Sequence, residues 1–261
     1  MEESRKRELL TSLTEELLAE RDMEAPNSPD TAALWRLFRA LVNTRPPAPI
    51  AQTWLKAQDE LLSGLIAEAG IATLEEANFS LEDPRMRLWR GDITTMAVDA
   101  IVNAANSGLL GCWSPGHHCI DNAIHTFAGV QLRAECARLM DEQGHAEPTG
   151  SAKITGAYNL PSTHVIHTVG PIANGRPNDE HHTQLASCYR SCLDLAAKND
   201  LHSIAFCAIS TGVFAFPKEE AARIALRATR EWLDSHEENM TVVFNVFSEE
   251  DYSIYSRLLG I

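Results

Sequence analysis

Apolar positions recur at helical spacing through the first third of the chain and fall into strand-like runs beyond it. Residues 4–21 place Leu9, Leu10, Leu13, Leu17 and Leu18 on one face, the period of an amphipathic helix. Ser28-Pro29 opens a second helix, with Ser28 as its cap and Pro29 at the first helical position, carrying Leu34, Trp35, Leu37, Phe38 and Leu41 inward. After the breaker RPPAPI a third helix runs to about Gly70 with Trp54, Leu55, Leu61, Leu62, Leu65 and Ile66 inward. No chemical motif falls here. Residues 1–78 read as an N-terminal helical extension that caps the rest, with partner docking as its other use.

From about residue 80 the pattern changes. Strand patterns cover Met86–Trp89, Ala97–Val102, Ser151–Thr155, His164–Val169, Ser203–Ala208 and Thr241–Phe247. Helical patterns cover Ile120–Phe127, Val130–Gln143, His181–Lys198, Lys218–Ser235 and Glu249–Leu259. Strands and helices interleaved in this way predict, for residues 79–261, a three-layer α/β/α sandwich with a mixed, largely parallel sheet. The polar stretch ANGRPNDEHH, 173–182, reads as a loop free to move.

The densest chemistry lies in NAANSGLLGCWSPGHHCIDNAIH, from Asn103 to His125, between a strand and a helix. Loops at the carboxyl ends of strands are where open α/β sheets bind ligands. Cys112, His117 and Cys119 make a C-x4-H-x-C spacing, which matches no zinc finger or ribbon. These three side chains can still close on one Zn2+, because Pro115 and Gly116 let the loop fold inward. Three protein ligands favour a catalytic ion with an open fourth position over a structural one. The spacing fits His118 as well as His117, and it fits two buried thiols beside an exposed histidine. Asp121 reads either as a first-turn acid complementing the helix dipole or as a carboxylate facing substrate and metal. Asn103 and Asn106 either close a turn or reach a ribose. Cys188, Cys192 and Cys207 sit in apolar patterns and are expected in the core.

A second loop, Ser210-Thr211-Gly212-Val213-Phe214, follows an apolar strand and feeds the helix starting near Lys218. Successive backbone N–H groups at a helix N-terminus suit a diphosphate, and Phe214 offers a sugar an apolar face; read in isolation, the loop fits better as an ordinary strand-to-helix turn with a core Phe. Neither a G-K-[ST] P-loop nor a G-x-G-x-x-G fingerprint is present.

Charge narrows the ligand. A formal net charge of −14 argues against a nucleic-acid groove, which needs a basic surface. A small anion remains possible if backbone amides hold it. MEESRKRELL has no apolar signal core, and no window approaches the ~20 apolar residues of a membrane span. The expectation is a soluble, cytoplasmic protein whose six cysteines are reduced thiols or metal ligands.

Gly91-Asp92-Ile93-Thr94, the run from Val98 to Asn106 (VDAIVNAAN), KITGAYNLPSTHVIHTVGP from Lys153 and ISTGVFAFP from Ile209 together resemble a macrodomain over about residue 85 to the C-terminus. The resemblance is to the MacroD-type branch, which removes ADP-ribose from modified proteins. The longer loop with Cys112, His117 and Cys119 is similar to that of its zinc-dependent class, and so is the helical extension. The resemblance implies that Asp92 accepts from the adenine amino group while the Ile93 backbone meets the ring. It places the diphosphate on Ser210, Thr211, Gly212, Val213 and Phe214, with Phe214 also against the distal ribose. Asn106, with Asn103, Cys119 and Ile120 nearby, would contact that ribose, Asn106 and Asp121 would be the catalytic residues, and Asn245 and Phe247 would border the adenine. It implies one Zn2+ per chain and an ADP-ribosylated partner, such as a lipoyl-carrier protein modified by a sirtuin-type transferase. Two other activities fit the same motifs: an ADP-ribose reader that does not cleave, and a hydrolase of O-acetyl-ADP-ribose.

Overall fold

The computed structural model describes residues 1–27, 29–236 and 239–261. Helices α1 (Glu3–Ala19), α2 (Thr31–Asn43) and α3 (Gln52–Ala69) share an apolar cluster of their own, centred on Leu10, Leu17, Phe38, Trp54, Leu61 and Leu62. Trp54 donates from Nε1 to the Leu13 carbonyl at 3.3 Å, so its indole is buried without an orphaned donor. The expected cap Ser28 lies outside the described residues. Helix α2 starts two residues past Pro29 because the Asp30 carboxylate accepts from the Ala33 N–H at 2.6 Å and caps it. An Asp in that role satisfies one of the donors that a helix N-terminus leaves free.

The chain joins the main sheet at β1 (Asn78–Phe79), a two-residue strand too short to show alternation in the sequence. The other strands are β2 (Met86–Arg90), β3 (Ala100–Ala105), β4 (Ala152–Gly156), β5 (His164–Val169), β6 (Ser203–Phe206) and β7 (Thr241–Val246). Their order is β1-β2-β7-β6-β3-β5-β4. The edge strands β1 and β4 run antiparallel to their neighbours, and every pairing between β2 and β5 is parallel. Central strands are apolar almost without interruption, as expected where both sheet faces are covered by helices.

Strand β3 begins three residues later than the apolar pattern suggested. Asp99 is the reason: its Oδ2 accepts from the N–H groups of His202 and Ser203 at 2.8 and 2.9 Å and from the Ser203 hydroxyl at 2.9 Å, pinning the entrance of the strand. The strand then runs on through Asn103, opposite His167 of β5.

Helices α4 (Ile120–Ala128) and α5 (Val130–Gln143) pack against β3 and β4. Helices α6 (Asp179–Lys198), α7 (Lys218–Ser235) and α8 (Glu249–Leu259) lie side by side as another layer. The extension lies outside α4, where the Trp35 and Phe127 rings meet at 5.7 Å. The stretch expected to move freely is tied down instead: Ala173 and Asn174 donate to the Phe214 carbonyl at 3.0 and 3.1 Å, and α6 starts by Asp179 under an Asn178 cap. Cys188, Cys192 and Cys207 are core residues, as expected.

Candidate active site

The parallel strands carry their C-terminal loops to one edge of the sheet. Asp92 follows β2, Asn106 follows β3, Ser210 to Phe214 follow β6, and Phe247 follows β7.

Asp121 lies in the first turn of α4, yet it is only 5% exposed, so it is not merely a surface acid on the helix dipole. Asn103 donates from Nδ2 to its Oδ1 at 2.8 Å, and Asn106 donates more weakly to Oδ2 at 3.4 Å. Burial pushes the Asp121 carboxyl up to about 6, against the Asn103 bond and the Arg133 charge, which both favour the anion. Asn103 differs from expectation. It closes no turn and reaches no open space; it sits inside β3 with no exposed surface, its amide committed to Asp121 and, at 3.1 Å, to Nδ1 of His167. The tautomer that satisfies this network carries its proton on Nε2 of His167, which then donates to the Thr155 hydroxyl at 2.9 Å. Asn106 is exposed at the strand's end, accepting from the Gly108 N–H at 3.0 Å and donating to the Gly111 carbonyl at 3.0 Å.

Cys112, His117 and Cys119 converge, with one ligand atom from each within 4.8 Å of the others, and His118 is turned to solvent. Cys112 Sγ lies 3.5 Å from His117 Nδ1. That is the edge expected of a tetrahedron with a Zn–S bond of about 2.3 Å and a Zn–N bond of about 2.0 Å, so the donor set fits zinc. Burial pushes the Cys119 thiol up to about 11, with Cys112 adding to the effect. Cys119 is also the N-cap of α4, its Sγ accepting from the Asn122 N–H at 3.4 Å, two residues before Asp121. Gly111, at φ 79°, lets the loop backbone pass over the His125 ring; a Cβ there would sit 2.9 Å from Cγ.

A second group, His125, Cys136 and His167, also converges. It does not suit a cation: His167 Nε2 is committed to Thr155, Arg133 adds its charge to the surroundings of His125, and burial pushes the Cys136 thiol up to about 12. Burial, His167 and Arg133 hold His125 well below the usual histidine range, so a neutral imidazole faces Asp121 Oδ1 from 3.6 Å.

In the loop after β6, Ser210 and Ala215 adopt positive φ (65° and 49°). The N–H groups of Gly212, Val213 and Phe214 have no acceptor among the described residues. Thr211 is half-buried and folds its hydroxyl back to the Ala208 carbonyl at 3.0 Å. Asp92 caps the short 3-10 turn Ile93–Thr95 through Oδ1, and its Oδ2 has no partner among the described residues. Beside it a cavity of about 410 Å³ opens between the main domain and the extension, walled by Trp35, Leu65, Ile66 and Phe127. The Ile93 side chain is buried, Asn245 donates to the Gly91 carbonyl at 3.0 Å, and Phe247 is 82% exposed.

The residue reading missed His125, His167 and Arg133. The signal for His125 was its position four residues after Asp121 on one helix face; His167 and Arg133 become visible only once β5 and α5 are placed.

A mixed sheet between helical layers, with an Asn-held carboxylate and an amide-lined loop at one edge, is an open α/β architecture with its polar loops gathered where such sheets bind ligands. The macro domain family profile matches residues 102–225. A protein-ADP-ribose hydrolase of Treponema medium is 53% identical over 86% of this chain and 87% of its own, and one of Staphylococcus aureus (strain MSSA476) is 47% identical over 86% and 84%. The Trypanosoma brucei macrodomain in complex with ADP-ribose is 32% identical with a TM-score of 0.66, covering 90% of this chain and 97% of its own. An Oceanobacillus iheyensis macrodomain mutant with ADPR is 40% identical with a TM-score of 0.63, covering 70% and 96%. The chain belongs to the macrodomain family.

Among the described residues, no helix is long and apolar enough to cross a membrane.

Proposed function

We propose that this macrodomain is a protein-ADP-ribose hydrolase that removes mono-ADP-ribose from a modified protein, with one Zn2+ held by Cys112, His117 and Cys119. The observation that carries this reading is the convergence of those three side chains at the start of the helix that presents Asp121. The names of the relatives, at 47% and 53% identity, support the hydrolase.

The nucleotide's course follows from the groups left free. The adenine amino group meets Asp92 Oδ2, the Ile93 backbone meets the ring, and the aromatic and aliphatic walls of the adjoining cavity suit a flat base. The diphosphate rests on the Ser210 to Phe214 loop, whose amides bind an anion despite the net charge of −14. Phe214 covers the distal ribose, with Asn106, Cys119 and Ile120 around it.

Hydrolysis adds the hydroxyl of water to ADP-ribose and leaves its proton on the released side chain. Asp121, held by Asn103 in the first turn of α4, takes that proton and passes it on. Asn103 holds the carboxylate in place, the neutral His125 adds no charge beside it, and the nearby Arg133 favours its anion. A bound Zn2+ would supply Lewis acidity at the terminal ribose or lower the pKa of nearby water. For the carrier of the modification we keep the class implied by the resemblance, a lipoyl-carrier protein modified by a sirtuin-type transferase. Thiols free of disulfides suit the cytoplasm.

The test is release of free ADP-ribose from a mono-ADP-ribosylated protein, run beside O-acetyl-ADP-ribose. Release above the enzyme-free control, and faster than from the ester, is the expected result. Binding without release would make the chain a reader, and faster turnover of the ester would make that its substrate.

A further inference from the structure

We infer that the N-terminal extension belongs to the metal site: helix α2, through Arg39 and Asn43, sets the geometry of the loop carrying Cys112, His117 and Cys119. The inference rests on the zinc reading above.

From Gly108 to Cys119 the chain has no helix or strand, so its backbone polar groups need partners from elsewhere. Two of those partners come from α2, both beside His117. Arg39 donates from Nη2 to the His117 carbonyl at 3.0 Å and to Asn122 Oδ1 at 2.9 Å. Asn43 accepts from the Gly116 N–H at 3.1 Å and donates to the Thr126 hydroxyl at 3.0 Å. Asn122, held by Arg39, donates onward to the Ser114 carbonyl at 3.2 Å.

The other end of the loop is tied to the same helix. Arg133 donates to the Leu110 carbonyl at 2.7 Å and also to the carbonyls of Val42, Asn43 and Arg45 at 2.9, 2.9 and 2.7 Å. Carbonyls in a helix's last turn lack intrahelical partners, so the end of α2 and the loop share one buried guanidinium. Cys112 and His117 lie between these two anchors.

These bonds are not needed to dock the extension. Docking is already provided by apolar contact, with Phe127 and Val130 packed against the cluster of α1, α2 and α3. Asn43 is 1% exposed, and a buried amide costs stability unless it is paired. An apolar residue would serve docking alone. An amide aimed at the N–H preceding His117, and a guanidinium aimed at the His117 carbonyl, instead fix the backbone of a ligand. A loop held in this way loses less conformational freedom when it closes on an ion, and supporting contacts of this kind orient ligands that would otherwise drift.

The experiment compares the full chain with Arg39→Met, which keeps the aliphatic stem, with Arg39→Lys, which keeps a charged donor, and with Asn43→Leu. Zn2+ affinity is measured by chelator competition, the ligand field by Co2+ spectra, and binding of ADP by calorimetry as a control that does not involve the distal ribose. Zn2+ affinity falls about tenfold or more in Arg39→Met and Asn43→Leu and less in Arg39→Lys. Their turnover at limiting zinc falls and recovers with excess zinc, while ADP affinity stays within about twofold of wild type. Unchanged Zn2+ affinity in Arg39→Met overturns the inference and leaves the zinc reading standing. Absence of metal binding by the wild-type chain overturns both. Equal loss of ADP and Zn2+ binding in Arg39→Met shows general damage to the fold and also overturns it.

Discussion

Asn103 Nδ2 lies 2.8 Å from Asp121 Oδ1 and 3.1 Å from His167 Nδ1, so one unexposed amide couples a strand-buried imidazole to the carboxylate at the mouth of the site. Asn103→Ala leaves that carboxylate free to rotate. Its expected effect is a kcat lowered about 10- to 100-fold with KM little changed, the signature of a group that matters in the transition state and not in substrate binding. Steady-state kinetics on an ADP-ribosylated protein check it; a change in KM alone would place Asn103 in binding instead.

Asp121→Ala removes the proposed proton acceptor itself. Turnover should fall about 10²- to 10⁴-fold while ADP, which lacks the distal ribose, binds as before. Loss of ADP affinity in parallel would mean that Asp121 matters to the fold rather than to the chemistry.

His167 makes stability depend on pH. Burial lowers it to about 4 in the folded chain, against an ordinary value of 6.5. Above the ordinary value both states are neutral. Below it the unfolded chain binds a proton that the folded chain refuses, so stability falls as pH drops from about 6.5 to about 4, by on the order of 3 kcal/mol. His125 is shifted the same way, and Asp121, raised to about 6, acts with the opposite sign. The contribution of His167 is therefore read as a difference. Denaturant melts of wild type and His167→Gln should diverge in pH dependence across that window, with the variant flatter; parallel curves would contradict it.

On the proposed course of the nucleotide, Trp35 would tie the extension to the base. It walls the cavity beside Asp92 and meets Phe127 at 5.7 Å. Trp35→Ala should weaken ADP binding about tenfold, in line with the loss of an aromatic contact, without altering Zn2+ affinity. Calorimetry with ADP decides the point, and unchanged affinity would put the base outside that cavity.

Where the sequence carried a physical signal, the structure follows it. Val130–Gln143, Lys218–Ser235 and Glu249–Leu259 have the bounds read from their periodicity, because each keeps one apolar face in the core. The convergence of Cys112, His117 and Cys119 was also legible, since the three are close together in one loop. Contacts made across long separations were not legible. By sequence alone Asn103 fits a turn or a ribose contact; Asp99, which pins the start of β3, keeps it inside the strand. Nothing local to Arg39 or Asn43 points to a loop more than 70 residues away. The choice of His117 over His118 needed coordinates, because two adjacent imidazoles fit one spacing equally well.

The most direct test of the account is zinc content measured together with turnover on an ADP-ribosylated protein, before chelation, after it, and after Zn2+ is added back. One zinc per chain, activity lost with the metal and restored with it, is the predicted result. Undiminished release of ADP-ribose by metal-free protein would contradict it.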